Sequence, residues 1–147
     1  MFLGHYTHSI DDKGRLTIPA KFRVELAAGA VVSCGFDRQL NLYTIGTFER
    51  LAQKVQALSI TRPEIRALSR LLFASASDVI LDKSNRINIP SSLRSYAGLE
   101  SEAVVVGAGD HAEVWSPSGW QEKFGGVSDF AANAERFAEL DLGVWSG

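Results

Sequence analysis

One thirteen-residue segment occurs twice in this chain, 71 positions apart. Residues 11–23 read DDKGRLTIPAKFR and residues 82–94 read DKSNRINIPSSLR. The offset places Asp11 on Asp82, Arg15 on Arg86, Ile18 on Ile89, Pro19 on Pro90 and Arg23 on Arg94. Two further pairs, Leu16/Ile87 and Phe22/Leu93, keep their apolar character. A duplicated strand–turn–strand unit requires two like halves related by a pseudo-two-fold, and it presents an Arg at a fixed place beside each turn. Such a chain offers a repeated surface, with contact groups in regular pairs.

The local chemistry is the same in both halves. Tyr6, His8 and Ile10 alternate with polar residues, as in a half-buried strand. Residues 11–14 are turn formers, with Gly14 supplying positive φ. Leu16 and Ile18 alternate with Arg15 and Thr17, which predicts a second strand and a hairpin. Pro19 cannot continue a central ladder but can open a short helix over residues 20–26. A further hairpin joins residues 31–34 to 40–43. The second half repeats the order: a strand at 79–81, a turn at 82–85, a strand through Ile87 and Ile89, a helix from Pro90 to about Ala97, and a hairpin of 103–106 with 113–115. Asn85 replaces the turn glycine, and Asn is the residue after Gly that best tolerates the left-handed region.

Between the copies, Thr47 is expected to cap a helix carrying Phe48, Leu51, Val55 and Leu58 on one face. Thr61 and Glu64 have capping-box spacing, and with Pro63 they predict a second helix. Phe130, Ala134, Phe137 and Ala138 predict an acidic C-terminal helix over roughly residues 129–142, packing through Phe130 and Phe137. Phe48, Leu51, Leu72, Phe73, Trp115, Trp120, Phe130 and Phe137 are expected mostly in the core. The expected organisation is a first repeat at 5–47, a helical connection at 48–75, a second repeat at 76–119 and a helical extension at 120–147. Apolar faces on two small half-units also predict association with other copies.

Apolar residues make up 46% of the 147, enough for one compact domain with a real core. No apolar run approaches the roughly 18 residues that span a bilayer, and Met1-Phe2-Leu3-Gly4-His5 has no signal-peptide pattern. Cys34 stands alone, which excludes an internal disulfide or a cysteine-based zinc site. A cytoplasmic location follows as the expectation. The net charge of −2 conceals a segregation: residues 1–97 carry 13 basic and 8 acidic groups, residues 98–147 carry 2 and 9. That is the pattern of a polyanion-binding face followed by an acidic tail, or of an ordinary solvated surface with a charged terminal helix.

Arg15 and Arg86 are the candidates for recognition, because a planar guanidinium fork suits phosphate oxygens and the O6/N7 edge of guanine. Lys13, Lys21, Arg23, Lys83 and Arg94 lie near in sequence and could add phosphate contacts, which position a duplex without reading it. The alternative is that Asp11–Arg15 and Asp82–Arg86 are ion pairs that staple each turn; one Arg can serve both purposes. His5, His8 and His111 have no nucleophile motif beside them, so no catalytic residue, metal or cofactor is expected.

The two D-x-x-x-R-x-x-x-P units, the opening Met1-Phe2-Leu3-Gly4 and the helical tail resemble the MraZ family of bacterial regulators, with two SpoVT/AbrB-type repeats. The resemblance covers essentially the whole chain. It implies a mainly β fold with peripheral helices, a duplicated swapped-hairpin AbrB-like (double-split) barrel formed within one chain. It also implies ring-shaped homo-oligomers and nucleoid-associated binding to double-stranded DNA at G-rich direct repeats upstream of the protein's own division and cell-wall operon. No membrane or small-molecule substrate is implied. The family's DNA-contacting Arg falls on Arg15 and Arg86, and its motif Asp on Asp11 and Asp82. The second copy departs from the pattern, with Ser84 for Lys13 and Asn85 for Gly14. An oligomeric structural or adaptor ring that does not bind DNA is the alternative function.

Overall fold

Short runs of alternating or continuous apolar residues set the strands of this computed structural model, which describes residues 1–125, 128–140 and 142. The strands are β1 (His5–Ser9), β2 (Arg15–Thr17), β3 (Ala30–Cys34), β4 (Leu40–Thr44), β5 (Ser77–Val79), β6 (Arg86–Asn88), β7 (Glu102–Gly107) and β8 (His111–Trp115). A 3-10 turn, Ala20–Phe22, leads into α1 (Arg23–Leu26), and the remaining helices are α2 (Ile45–Gln56), α3 (Pro63–Ser75), α4 (Ser91–Ala97), α5 (Pro117–Gly125) and α6 (Ala134–Ala138). The molecule is mainly β with peripheral helices, as expected.

Six strands form one antiparallel sheet in the order β1-β7-β8-β4-β3-β5, while β2 and β6 pair only with each other. The sheet stays open at β1 and β5 and is not closed into a barrel. Its edge strands are only five and three residues long, and the turns at Asp11 and Asp82 divert the chain into the separate β2–β6 ribbon. The hairpin expected between β1 and β2 is corrected. Only Ile10, just past β1, bridges to Leu16 of β2; β1 pairs with β7, and β2 with β6. Periodicity located the strands but not their partners, because the apolar stubs of each half bury best against their counterparts.

The register records the duplication. Leu16 pairs with Ile87, its own equivalent 71 residues on, and Asn41 pairs with Glu113, its equivalent 72 residues on. The pseudo-two-fold therefore passes through both pairs. Between them lies the core of residues 1–117. Leu16, Ile18, Ile87 and Ile89 are sealed from solvent together with Leu40, Leu42, Ala112 and Val114. Phe22 closes one side, edge-on to Phe2 at 5.1 Å and to Tyr6 at 5.7 Å. Each buried Leu, Ile or Phe contributes about 1.5–3 kcal/mol of apolar transfer, so the ribbon that carries the duplicated motif is anchored by the best-buried side chains of the domain.

Several local expectations give way to better-satisfied alternatives. The strand expected at 79–81 ends at Val79, the last residue paired with β3, and Ile80 is exposed. Thr44 rather than Thr47 caps α2, its Oγ1 accepting from the Thr47 amide at 3.1 Å. No capping box opens α3; Arg62 occupies the cap position, pairs with Glu64, and Pro63 starts the helix. Of the eight expected core aromatics and leucines, only Leu72 and Trp115 are buried.

Residues 118–147 form a second compact unit. There Trp120 stacks on Phe124 at 4.6 Å, and Phe130 meets Phe137 at 5.9 Å. The expected C-terminal helix is shorter, confined to Ala134–Ala138, and Phe130 is 65% exposed rather than packed away. Asp141, part of that expectation, lies outside the described residues. Among the described residues no helix is long and apolar enough to cross a membrane.

Candidate nucleic-acid interface

Each copy of the motif builds the same turn. The Asp11 Oδ1 accepts the backbone amides of Lys13 at 3.0 Å and Arg15 at 2.9 Å, and the Asp82 Oδ1 accepts those of Ser84 at 2.8 Å and Arg86 at 2.9 Å. A carboxylate that gathers amides two and four residues on holds a loop without help from distant packing. The chain reverses at Gly14 (φ +81°) and Asn85 (φ +60°), so the Asn tolerates in the second copy what the Gly does freely in the first. Asp11 Oδ2 also accepts Nε of Arg15 at 2.6 Å, and Asp82 Oδ2 accepts Nε of Arg86 at 3.0 Å. The ion-pair staples anticipated from the spacing are present.

The loops are fastened across the pseudo-two-fold. Ile89 donates its amide to the Gly14 carbonyl at 2.9 Å, and Ile18 donates to the Asn85 carbonyl at 3.0 Å. Arg23 donates Nε to the Ile18 carbonyl at 2.9 Å and Arg94 donates Nε to the Ile89 carbonyl at 3.0 Å. Arg94 also covers the opposite loop, since a Cβ on Gly14 would lie 2.7 Å from its Nε. Arg86 reaches across to Asp11, Nη1 to Oδ2 at 3.3 Å. Sequence reasoning missed this bracing role of Arg23 and Arg94. The available signal was the repeated spacing of five from Ile18 to Arg23 and from Ile89 to Arg94.

The structure thus brings together Asp11, Gly14, Arg15, Asp82, Asn85, Arg86 and Arg94. Lys13 and Lys83 stand exposed on the same two turns. Lys21 is exposed on the 3-10 turn, and no hydrogen bond or ion pair among the described residues draws it into the cluster. Arg15 and Arg86 keep 32% and 28% of their side chains accessible. The backbone amide of Arg15 holds the Asp11 carboxyl below the usual carboxylate range, and the amide of Arg86 does the same for Asp82. Both are therefore charged anchors near neutral pH. Without Lys21, the six candidate cations of the two motifs outnumber Asp11, Asp12 and Asp82 by three, leaving a locally positive surface on a net acidic protein.

The histidines do not converge. His5 and His8 fall on opposite faces of β1, and burial followed by the charge of Arg23 lowers the pKa of His8. His111 pairs with Asp110 at 2.8 Å and tilts against Tyr43 at 5.4 Å, beside a cleft also lined by Arg50 and Lys54. Cys34 is half-buried against the core.

The duplicated turn, seen in sequence and in geometry, has a counterpart among known proteins. The family model described as "MraZ protein, putative antitoxin-like" matches residues 1–71 and again residues 72–140. The chain belongs to the MraZ family. The second match begins 71 residues after the first, the same interval that separates the two motifs. A "Transcriptional regulator MraZ" of Thermomicrobium roseum is 51% identical over 120 residues, covering 82% of this chain and 84% of its own. Another from Herpetosiphon aurantiacus is 49% identical, covering 95% of both chains, and one from Salinispora arenicola is 42% identical over 100% of this chain and 99% of its own. MraZ membership makes the chain one of a family of transcriptional regulators and not an enzyme.

Proposed function

We propose that the chain regulates transcription by binding double-stranded DNA sequence-specifically through the paired 11–15 and 82–86 loops. The observation that carries this reading is the placement of two stapled guanidinium groups side by side on one ribbon, on the positive part of a net acidic chain. Arg15 and Arg86 face the base edges or the phosphates flanking them; Lys13, Lys83 and Lys21 contact phosphate. Arg23 and Arg94 spend Nε on backbone carbonyls and offer their terminal nitrogens to phosphate. The Arg fork favours guanine, which supports G-rich direct repeats as the target. The target lies upstream of the protein's own division and cell-wall operon, and the protein works in the cytoplasm on the nucleoid.

The repeats at 5–47 and 76–119 form the swapped-hairpin unit, residues 48–75 connect them and residues 120–147 extend it. Exposed Ile45, Leu58, Ile60 and Leu71 on and between α2 and α3 support assembly of several copies, a ring whose loops engage successive boxes together. The test is titration of the intact protein with a duplex from upstream of its own gene, at salt from about 50 to 200 mM. Phosphate contacts predict affinity that falls steeply and log-linearly with salt. No binding even at the lowest salt would overturn the reading and leave an oligomeric adaptor.

A further inference from the structure

A second cluster of charged side chains lies on the far face of the sheet from the motif ribbon. Leu40, Leu42, Ala112 and Val114 turn inward to the core that seats β2 and β6. Asn41, Tyr43, His111 and Glu113 alternate with them and so occupy the opposite face. There Tyr43 and His111, paired directly across β4 and β8, border a cleft of about 260 Å³. Its helical wall is the α2 stripe of Thr47, Arg50, Leu51 and Lys54. Arg50 and Lys54 stand one turn apart, where like charges repel. Neither enters an ion pair among the described residues. Arg50 is steadied by Nη2, which donates to Thr47 Oγ1 at 3.0 Å and leaves its other N–H groups for an incoming acceptor. The carboxylate that lines the cleft, Asp110, is engaged by His111 Nδ1 at 2.8 Å.

The 72-residue offset sets Glu122, Gly126 and Gln39 at the places of Arg50, Lys54 and His111. The cationic set therefore occurs once, and the duplication does not account for it. We propose that this cleft binds a small organic phosphate, with the phosphate taken by Arg50 and Lys54 and the carbon frame laid on Leu51 and the Tyr43 ring. A phosphate supplies the opposite charge that both cations lack, and the guanidinium fork suits its oxygens. His111, held by Asp110 at Nδ1, adds Nε2–H when protonated. The site is one concave cleft on the face away from the motif loops, which suits a small molecule rather than a duplex. A ligand there bridges α2 to the central strands and so stabilises the fold.

The probes are phenyl phosphate, inorganic phosphate and phenol, titrated by calorimetry into the intact protein. Phenyl phosphate should bind once per chain and raise the melting temperature. Inorganic phosphate should bind more weakly, and phenol not measurably. Arg50→Gln/Lys54→Gln should weaken phenyl phosphate by about tenfold or more, with oligomer mass and unliganded melting little changed. Lys13→Gln/Lys83→Gln, on the motif loops, should leave its affinity within about twofold. Binding retained by the α2 variant would overturn the assignment, and so would binding lost in the loop variant, which would place the phosphate on the motif turns. A changed oligomer mass in the α2 variant would make the cleft a contact between copies and overturn it as well. Equal affinity for inorganic phosphate would overturn the ligand class, and no uptake of phenyl phosphate at millimolar concentration would overturn the site.

Discussion

The 11–15 and 82–86 loops share a backbone, a carboxylate anchor and an arginine, yet differ at four places. The first has Asp12, Lys13 and Gly14 where the second has Lys83, Ser84 and Asn85, and only the first supplies a carboxylate to both arginines. The shared parts are those a turn needs to close. The differing parts are those that face outward or lie against the other repeat. Duplication fixed the geometry of the surface, and later divergence adjusted its charge and the freedom of its side chains.

The largest effect expected from this comparison is on binding. Arg15→Ala should cost about 1–3 kcal/mol per engaged loop, multiplied where several subunits hold successive boxes. Arg86→Ala should cost less affinity but more stability, since it leaves Asp11 and Asp82 each short of one partner. Parallel titrations and melting curves on the two variants check the order. Next comes the turn itself. Gly14→Ala should destabilise by about 1–2 kcal/mol, because φ is +81° and the new Cβ would meet Arg94 at 2.7 Å. Asn85→Gly should stay within about 0.5 kcal/mol, and chemical denaturation would show whether the loops differ in this way.

Acidification should weaken both loops. Hydrogen bonds from their own turns depress the pKa values of Asp11 and Asp82 below 3.8. Their contribution is therefore complete above that value and is lost as pH falls through it toward the lower folded-state value. Asp11→Asn should remove more of this dependence than Asp82→Asn, as seen in stability measured between about pH 5 and pH 3. The smallest effect is Ser84→Lys, which gives the second loop a lysine at the place of Lys13, in addition to its own Lys83. It should steepen the salt dependence by about 0.9 per engaged loop without altering sequence preference.

Much of this was legible in the residues. The duplication predicted two like turns, and Asp, Gly or Asn, and Arg at fixed spacing predicted their internal bonds, because a turn of this kind is closed by atoms within five residues. Strand positions followed from alternation for the same local reason. The partners of β1 and β2 did not, since Leu16 and Ile18 would bury equally well in a hairpin or against Ile87 and Ile89. Pairing is decided by the whole core, where those four side chains come to lie together. The caps of α2 and α3 were misplaced because Thr44, Thr47, Thr61 and Arg62 compete within a few residues. The Arg86–Asp11 contact joins groups 75 residues apart, so nothing in either loop alone announces it.

The central claim is that the paired loops are the DNA-binding surface. The most direct test compares wild-type protein with the double variant Arg15→Ala/Arg86→Ala on the duplex from upstream of the protein's own gene. Both should first be shown by light scattering and circular dichroism to have the same mass and fold. Loss of specific binding by the double variant, with mass and fold intact, is the predicted result. Undiminished affinity in a correctly assembled double variant would contradict the account and move the contact surface elsewhere on the molecule.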